Sequence, residues 1–359
     1  MLVEALSSTV YDYSPVSSRL QREISQNLLE DSEELVETER LMRELTRGGG
    51  SEPATRIALD HLSSGGKRFR ARLALACTGA LGAPKTQAIA WAAAVELLHQ
   101  ASLIHDDIQD KDRYRRGQPS LWTRYGIAQA INAGDLLLML PFSALVRVPV
   151  SSEVRTQLIA ILAERAANTV RGQMREIALL ENLMISPESY LATARGKTGE
   201  LIALPVHGAA LIAGRDEAAA HRLAQAFVDL GVLYQLQDDV LDLYGDKGRR
   251  RIGSDLYEGK MSALVVAHLD LHPEDTDWLL RLLKRSRPKT SARDVESAIQ
   301  RFRTGGALDY VLSAIRELAE KTARSEILAR EPILHAVAIE LADRSLQPIR
   351  HVFHPFAEG

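Results

Sequence analysis

Apolar residues recur every three or four positions along most of the chain, with charged and amide side chains between them, which is the period of amphipathic helices. That pattern predicts helices over 54–63, 68–81, 85–110, 127–146, 153–182, 187–213, 216–243, 258–271, 274–285, 291–303, 305–322 and 329–344. Breaks fall at "GAPK", "RRGQPS", "RVPVSS", "GDKG" and "HPED", where glycine, proline and short polar clusters end a helix. Ahead of these, "DSEELVETERLMRELTR" (31–47) predicts a charged amphipathic helix with Asp31 or Ser32 as N-cap. The glycine-rich "GGGSEP" (48–53) then separates an N-terminal arm, 1–53, from a main domain, 54–359. Alternating β-branched runs, Asn-Gly hairpins and tandem repeats are all missing. The expected fold class is all-α, a single large domain of ten or more helices.

Composition narrows the picture modestly. The chain has 359 residues, 46% of them hydrophobic, enough for a sizeable core, and only 5% aromatic. A formal net charge of -3 argues against a nucleic-acid binder. Cys77 is the only cysteine, so no intrachain disulfide forms and a reducing cytoplasm is the expected location. The opening "MLVEALSSTVYDYSP" lacks the basic start and apolar run of a signal peptide. The greasiest stretches, "DLLLMLPFSALV" and "ELIALPVHGAALIAG", read as too short or too interrupted to span a bilayer, so no transmembrane segment is expected.

Candidate chemistry begins at "SLIHDDIQD". Asp106 and Asp110 share a helix face one turn apart, with Asp107 about 100° around from Asp106. One such cluster is ordinarily a solvated acidic turn. However, "YQLQDDVLDLYGD" repeats the D-D-x-x-D spacing at Asp238, Asp239 and Asp242, again behind an apolar helix. Carboxylates packed this way raise one another's pKa or push their helices apart unless cations intervene. Mg²⁺ takes oxygen ligands and is commonly held by one or two carboxylates plus substrate phosphates. A phosphate ligand needs cations, and they flank both motifs: Lys67, Arg68, Arg70 and Arg72 in "GGKRFRAR", Arg115 and Arg116 in "RRGQP", Lys197 beside Thr198 in "GKTGE", and Lys260 in "YEGKMS". Each cluster alone is as readily a solvated surface patch.

In order along the chain, "GGKRFR", "ELLHQASLIHDDIQD", "RRGQP", "NAGDLLL", "RGQMRE", "KTGEL", "YQLQDDVLD" and "GSDLYEGK" resemble the trans-prenyl diphosphate synthase family, the polyprenyl synthetases. The resemblance runs from about Asp60 to the last helices. It implies the isoprenoid synthase fold, helices around a central cavity capped by the two aspartate motifs. It also implies a reaction in which an allylic diphosphate (dimethylallyl, geranyl or farnesyl) ionises and is attacked by isopentenyl diphosphate. By matching positions it implies several Mg²⁺ ions on Asp106, Asp107, Asp110 and Asp238, with Asp239 and Asp242 as ligands or support. The allylic diphosphate falls to Arg115, Lys197, Thr198, Gln235 and Lys260, and isopentenyl diphosphate to Lys67, Arg70, His99 and Arg116, with Gln173 a weaker candidate. A homodimer is the implied assembly.

Three positions depart from the family pattern. Ala71 stands where proline is frequent, Tyr234 replaces a phenylalanine, and "KGRRRIGSD" lacks the usual Gly-Lys, which leaves Arg249, Arg250 and Arg251 to stand in. Small residues at Ala101 and Ser102, before the first motif, imply a deep tunnel with its floor at Leu98, or at Leu137 and Met139. The implied product is all-trans, of twenty carbons or more. Two rival readings are a class I terpene cyclase and a noncatalytic partner subunit, but the second full D-D-x-x-D and the intact "GGKRFR" favour elongation.

Overall fold

The structure is a computed structural model and describes residues 17, 19, 20, 24, 30–48, 50, 52–179, 185–245, 252–285 and 289–353. The triplet Arg249 to Arg251 lies outside the described residues, as does most of the first thirty. Long helices dominate: Glu33–Arg47, Pro53–Ser63, Phe69–Ala80, Ile89–Gln109, Ile127–Leu145, Ser152–Leu179, Glu200–Ile212, Glu217–Tyr244, Ala292–Thr304, Ala307–Ala323 and Pro332–Leu346. Shorter ones cover Leu121–Tyr125, Pro187–Ala194, Ser254–Glu258, Ala263–Leu271, Thr276–Leu283 and Glu326–Ala329. Among the described residues the strands are one antiparallel pair of two-residue strands, Tyr114–Arg115 and Gln118–Pro119, closing a tight hairpin.

Helix ends follow their caps. Ser32 accepts from the Leu35 N–H and starts Glu33–Arg47, while Ser291 and Asp294 form a reciprocal capping box ahead of Ala292–Thr304. Two predicted helices are broken. The span expected at 187–213 is interrupted by a π-helical turn, Arg195–Gly199, and 258–271 resolves into Ser254–Glu258 and Ala263–Leu271. Gly259, at φ 74, ends the first of these pieces, and Ser262 caps the second. Both breaks carry lysines of the candidate site.

The chain forms two compact units. The described residues of one lie within Ser18–Ala166 and Leu201–Gln225, with a core that includes Met42, Leu62, Trp91, Ile104, Leu137 and Leu158. Here Trp91 donates its Nε1–H to the Pro205 carbonyl at 3.0 Å. The described residues of the other are Ser17 and those within Ala167–Glu200 and Ala226–Gly359, around Phe227, Leu279, Phe302 and Ile315.

Helix Ile127–Leu145 corrects one expectation. It continues through Pro141 for 19 residues, and by length and composition it is the described helix apolar enough to cross a membrane. A proline removes a single intrahelical hydrogen bond, and surrounding packing can carry the helix past it. Only 33% of its apolar window is buried. Ile127, Ile131, Met139, Phe142 and the following Val146 are exposed and share one face, within roughly 120° of arc. Met139 therefore points outward and does not form the tunnel floor with the fully buried Leu137.

Candidate active site

In the first unit, Asp106 and Asp107 occupy the last turn of Ile89–Gln109, and Asp110 is its C-cap. Helix carbonyls converge at that end, so carboxylates there add negative charge where the macrodipole is already negative. Arg115 answers part of it: its Nε donates to both Asp107 oxygens, at 2.8 and 2.9 Å, and its Nη2 lies 2.6 Å from Oδ1. Burial raises the Asp107 carboxyl's pKa, and the Arg115 hydrogen bond works against that rise. The hairpin turn that delivers these arginines has Arg116 and Gly117 at φ 53 and 76, the two positive values of a primed turn.

The Gly65-Gly66 turn is shaped for Arg116. The Arg116 guanidinium donates to the Gly65 carbonyl, and a Cβ on Gly66, at φ 125, would lie 2.5 Å from its Nη2. Structure also sorts the four cations of "GGKRFRAR". Arg68 is buried, its Nε on Glu39 at 2.6 Å and its Nη2 on the Leu62 carbonyl at 2.5 Å. Arg72 pairs with Asp31 and donates to the Lys67 carbonyl. These two arginines hold the loop. Lys67 is exposed, and Arg70 donates from Nη1 to His99 Nε2 at 2.8 Å.

Burial, with Arg70 next in effect, pushes His99 well below the usual histidine range, so it stays neutral and accepts that bond. Its buried Nδ1 has no partner among the described residues. Beneath the loop, Glu96 accepts from the Ala71 N–H at 3.2 Å and from Gln100 at 2.7 Å. Ala71, where a proline would remove that donor, is thus accommodated by Glu96. A cavity of ≈ 580 Å³ opens beside the Asp107–Arg115 pair, lined also by His61, Ser64 and Arg124. Ala101 is fully buried, and Ser102 is half-buried with its hydroxyl on the His99 carbonyl at 2.8 Å.

In the second unit, the other three aspartates again stand in the last turns of a helix, Glu217–Tyr244. Asp238 is half-buried, whereas Asp239 and Asp242 are buried and accept hydrogen bonds from protein donors. Thr198 Oγ1 donates to Gln235 Oε1 at 2.8 Å, and Gln235 Nε2 donates to Asp239 Oδ1 at 3.0 Å. Lys197 pairs with Glu176, and Lys260 with Glu258 at 2.9 Å. The π-turn that carries Lys197 and Thr198 sits against backbone on two sides. A Cβ on Gly172 would lie 2.3 Å from the Lys197 nitrogen, and one on Gly231 would lie 2.6 Å from the Gly199 Cα. An ordinary helix would rotate these side chains; the extra residue of the π-turn re-aims them. Gln173 is buried and Tyr234 exposed.

Among the described residues no three acidic, histidine or cysteine side chains converge into a ready-made metal cage. Such a set still fits Mg²⁺, which keeps waters and completes its shell with substrate phosphate. Sequence reasoning missed Glu39, Glu96, Glu176 and Tyr190. Each acts through a partner distant in sequence, so neither periodicity nor motif spacing reports it.

Comparison with known proteins points to one family. A family model described as polyprenyl synthetase matches residues 52–302. A short chain isoprenyl diphosphate synthase of Methanothermobacter thermautotrophicus is 33% identical over 295 residues, 81% of this chain and 89% of that protein. A geranylgeranyl pyrophosphate synthase of Geoglobus acetivorans is 31% identical, covering 88% of this chain and 97% of its own. The crystal structure of geranylgeranyl pyrophosphate synthetase from Pyrococcus horikoshii Ot3 superposes with a TM-score of 0.78 at 27% identity, covering 92% of this chain and 98% of that one.

Proposed function

This chain belongs to the polyprenyl synthetase family and has its all-helical isoprenoid synthase fold, and from that premise we propose that it is a trans-prenyltransferase. It condenses isopentenyl diphosphate with an allylic diphosphate to give an all-trans polyprenyl diphosphate of twenty carbons or more. The observation that carries the reading is the doubled aspartate motif, each copy at a helix C-terminus and each accompanied by cations in its own unit.

Asp106, Asp107, Asp110 and Asp238 are the proposed Mg²⁺ ligands. When bound, Mg²⁺ supplies positive charge that stabilises the diphosphate as the allylic C–O bond breaks. Arg115, Lys197, Thr198, Gln235 and Lys260 hold that diphosphate by charge-assisted hydrogen bonds. Lys67, Arg70 and Arg116 hold isopentenyl diphosphate, and the buried, partnerless Nδ1 of neutral His99 is a donor for it. The isopentenyl double bond then forms the new C–C bond at the allylic C1, and the resulting cation loses a proton to the departing diphosphate.

Mass spectrometry of products made with Mg²⁺, isopentenyl diphosphate and each allylic primer tests the reading. Release of hydrocarbon from an allylic diphosphate alone would establish a cyclase instead. The expected product has twenty to twenty-five carbons, since Ala101 and Ser102 put no bulk before the first motif. Ala101→Phe should shorten it with little change in diphosphate affinity, and an unchanged product distribution would refute the placement of the tunnel floor.

The exposed apolar face of Ile127–Leu145 is proposed to pair with a second copy, since an apolar stripe left in water is costly. Sedimentation at micromolar concentration should give a homodimer, and Phe142→Lys should give monomers. A monomeric wild type would rule the pairing out.

A further inference from the structure

Asp239 gathers hydrogen bonds from two other parts of its unit and from its own helix one turn earlier. Its Oδ2 accepts from the Tyr190 hydroxyl at 2.5 Å and from the Ala263 N–H at 2.6 Å, and its Oδ1 accepts from Gln235. One turn later, Asp242 Oδ2 accepts from the Asp255 N–H at 3.0 Å, and its carbonyl takes the Gly253 N–H at 2.8 Å. The strap 253–263 is therefore tied at its start by Asp242 and at its end by Asp239. Lys260 lies between the ties, with its own N–H on the Asp255 carbonyl at 2.8 Å.

We propose that Tyr190 is a positioning residue for the diphosphate-binding side chains. Through its bond to Asp239 it fixes the end of the strap that carries Lys260, and it fixes the Gln235 amide that receives Thr198. Tyr190 belongs to Pro187–Ala194, which packs against Ala263–Leu271, so its buried ring sets the direction of the hydroxyl. Burial and the Asp239 charge keep the phenol's pKa well above its usual value, so it remains a donor. Its hydroxyl donates to the Asp239 carboxyl at a short distance. Without it, Oδ2 keeps the Ala263 N–H but loses the second donor that sets the plane of the carboxylate. Groups that orient ligand residues in this way commonly change activity 10- to 100-fold when removed.

The proposal rests on the prenyltransferase reading, so its test includes a readout that needs no turnover. Tyr190→Phe keeps the ring and removes the hydroxyl. Hydrogen exchange of the substrate-free protein should speed up at amides 255–263, with little change elsewhere and a melting temperature near that of the wild type. In kinetics, kcat/KM for the allylic diphosphate should fall roughly tenfold while KM for isopentenyl diphosphate holds. Combined with Lys260→Ala, the second change should add little, because both act on one arrangement. Asp239→Asn should loosen the same amides, and it serves as the check if Tyr190→Phe does not fold. Unchanged strap exchange in a folded variant would overturn the proposal, as would equal losses for both substrates. Strap exchange judges Tyr190, whereas wild-type product formation judges the underlying reading.

Discussion

Asp238→Ala is expected to lower turnover by several orders of magnitude, and removal of divalent metal by a chelator should do the same to the wild type. Asp238 is the half-exposed member of its motif, whereas Asp239 and Asp242 are buried and engaged with protein donors. A carboxylate at a helix C-terminus adds to the negative end of the macrodipole, and a bound cation offsets that. With Asp238 as the proposed Mg²⁺ ligand, its loss should leave developing diphosphate charge less stabilised in the transition state, and one well-placed stabilising group is commonly worth 10²- to 10³-fold. Asp106→Ala should behave alike from the other motif. Steady-state rates at saturating substrates, with Mg²⁺ titrated from zero, are the measurement. Near-normal kcat in either variant would remove that aspartate from the metal site, and restored activity after Mg²⁺ returns separates chelation from unfolding.

The second large effect is acid lability. His61 and His207 are buried, and each has its pKa lowered to about 3, with burial as the main cause. Arg116 and Arg115 add to the shift for His61, and Arg165, whose Nε donates to the His207 Nδ1 at 3.2 Å, adds to that for His207. In the unfolded chain both histidines titrate near 6.5. Below that pH the unfolded state binds protons that the folded state refuses, so stability is full above about 6.5 and falls as the pH drops toward 3. At pH 5 each histidine is about 1.5 units into that window, about 2 kcal/mol apiece and about 4 kcal/mol together. Denaturant midpoints at pH 7 and pH 5 should show the loss. His207→Asn, whose amide oxygen can still accept from Arg165, should flatten part of the pH dependence. A midpoint that does not move between those pH values would show that both histidines are solvated or readily accommodated as cations.

Much of the site was legible in the sequence because its signals are local. The 3.6-residue period marks Ile89–Gln109 and Glu217–Tyr244 without reference to neighbours, and each motif lies within one or two turns of a single helix. The D-D-x-x-D spacing places its carboxylates by helix geometry alone, and the cations follow from short motifs. What the sequence could not say is which protein partner each member of a motif meets. Arg68 and Arg70 are two residues apart and look equivalent, yet one is buried against Glu39 and the other reaches His99. Asp238 and Asp239 are adjacent and chemically identical, yet only the second meets Tyr190, 49 residues away in sequence. Around the π-turn at Arg195–Gly199, glycines on both sides of the contact, Gly196 and Gly199 in the turn and Gly172 and Gly231 on the neighbouring helices, allow the close backbone approach, a match between segments distant in sequence. Periodicity and spacing thus determined the helices and the chemical inventory; tertiary packing, which brings residues distant in sequence within hydrogen-bond reach, decided which protein partner each of those groups meets.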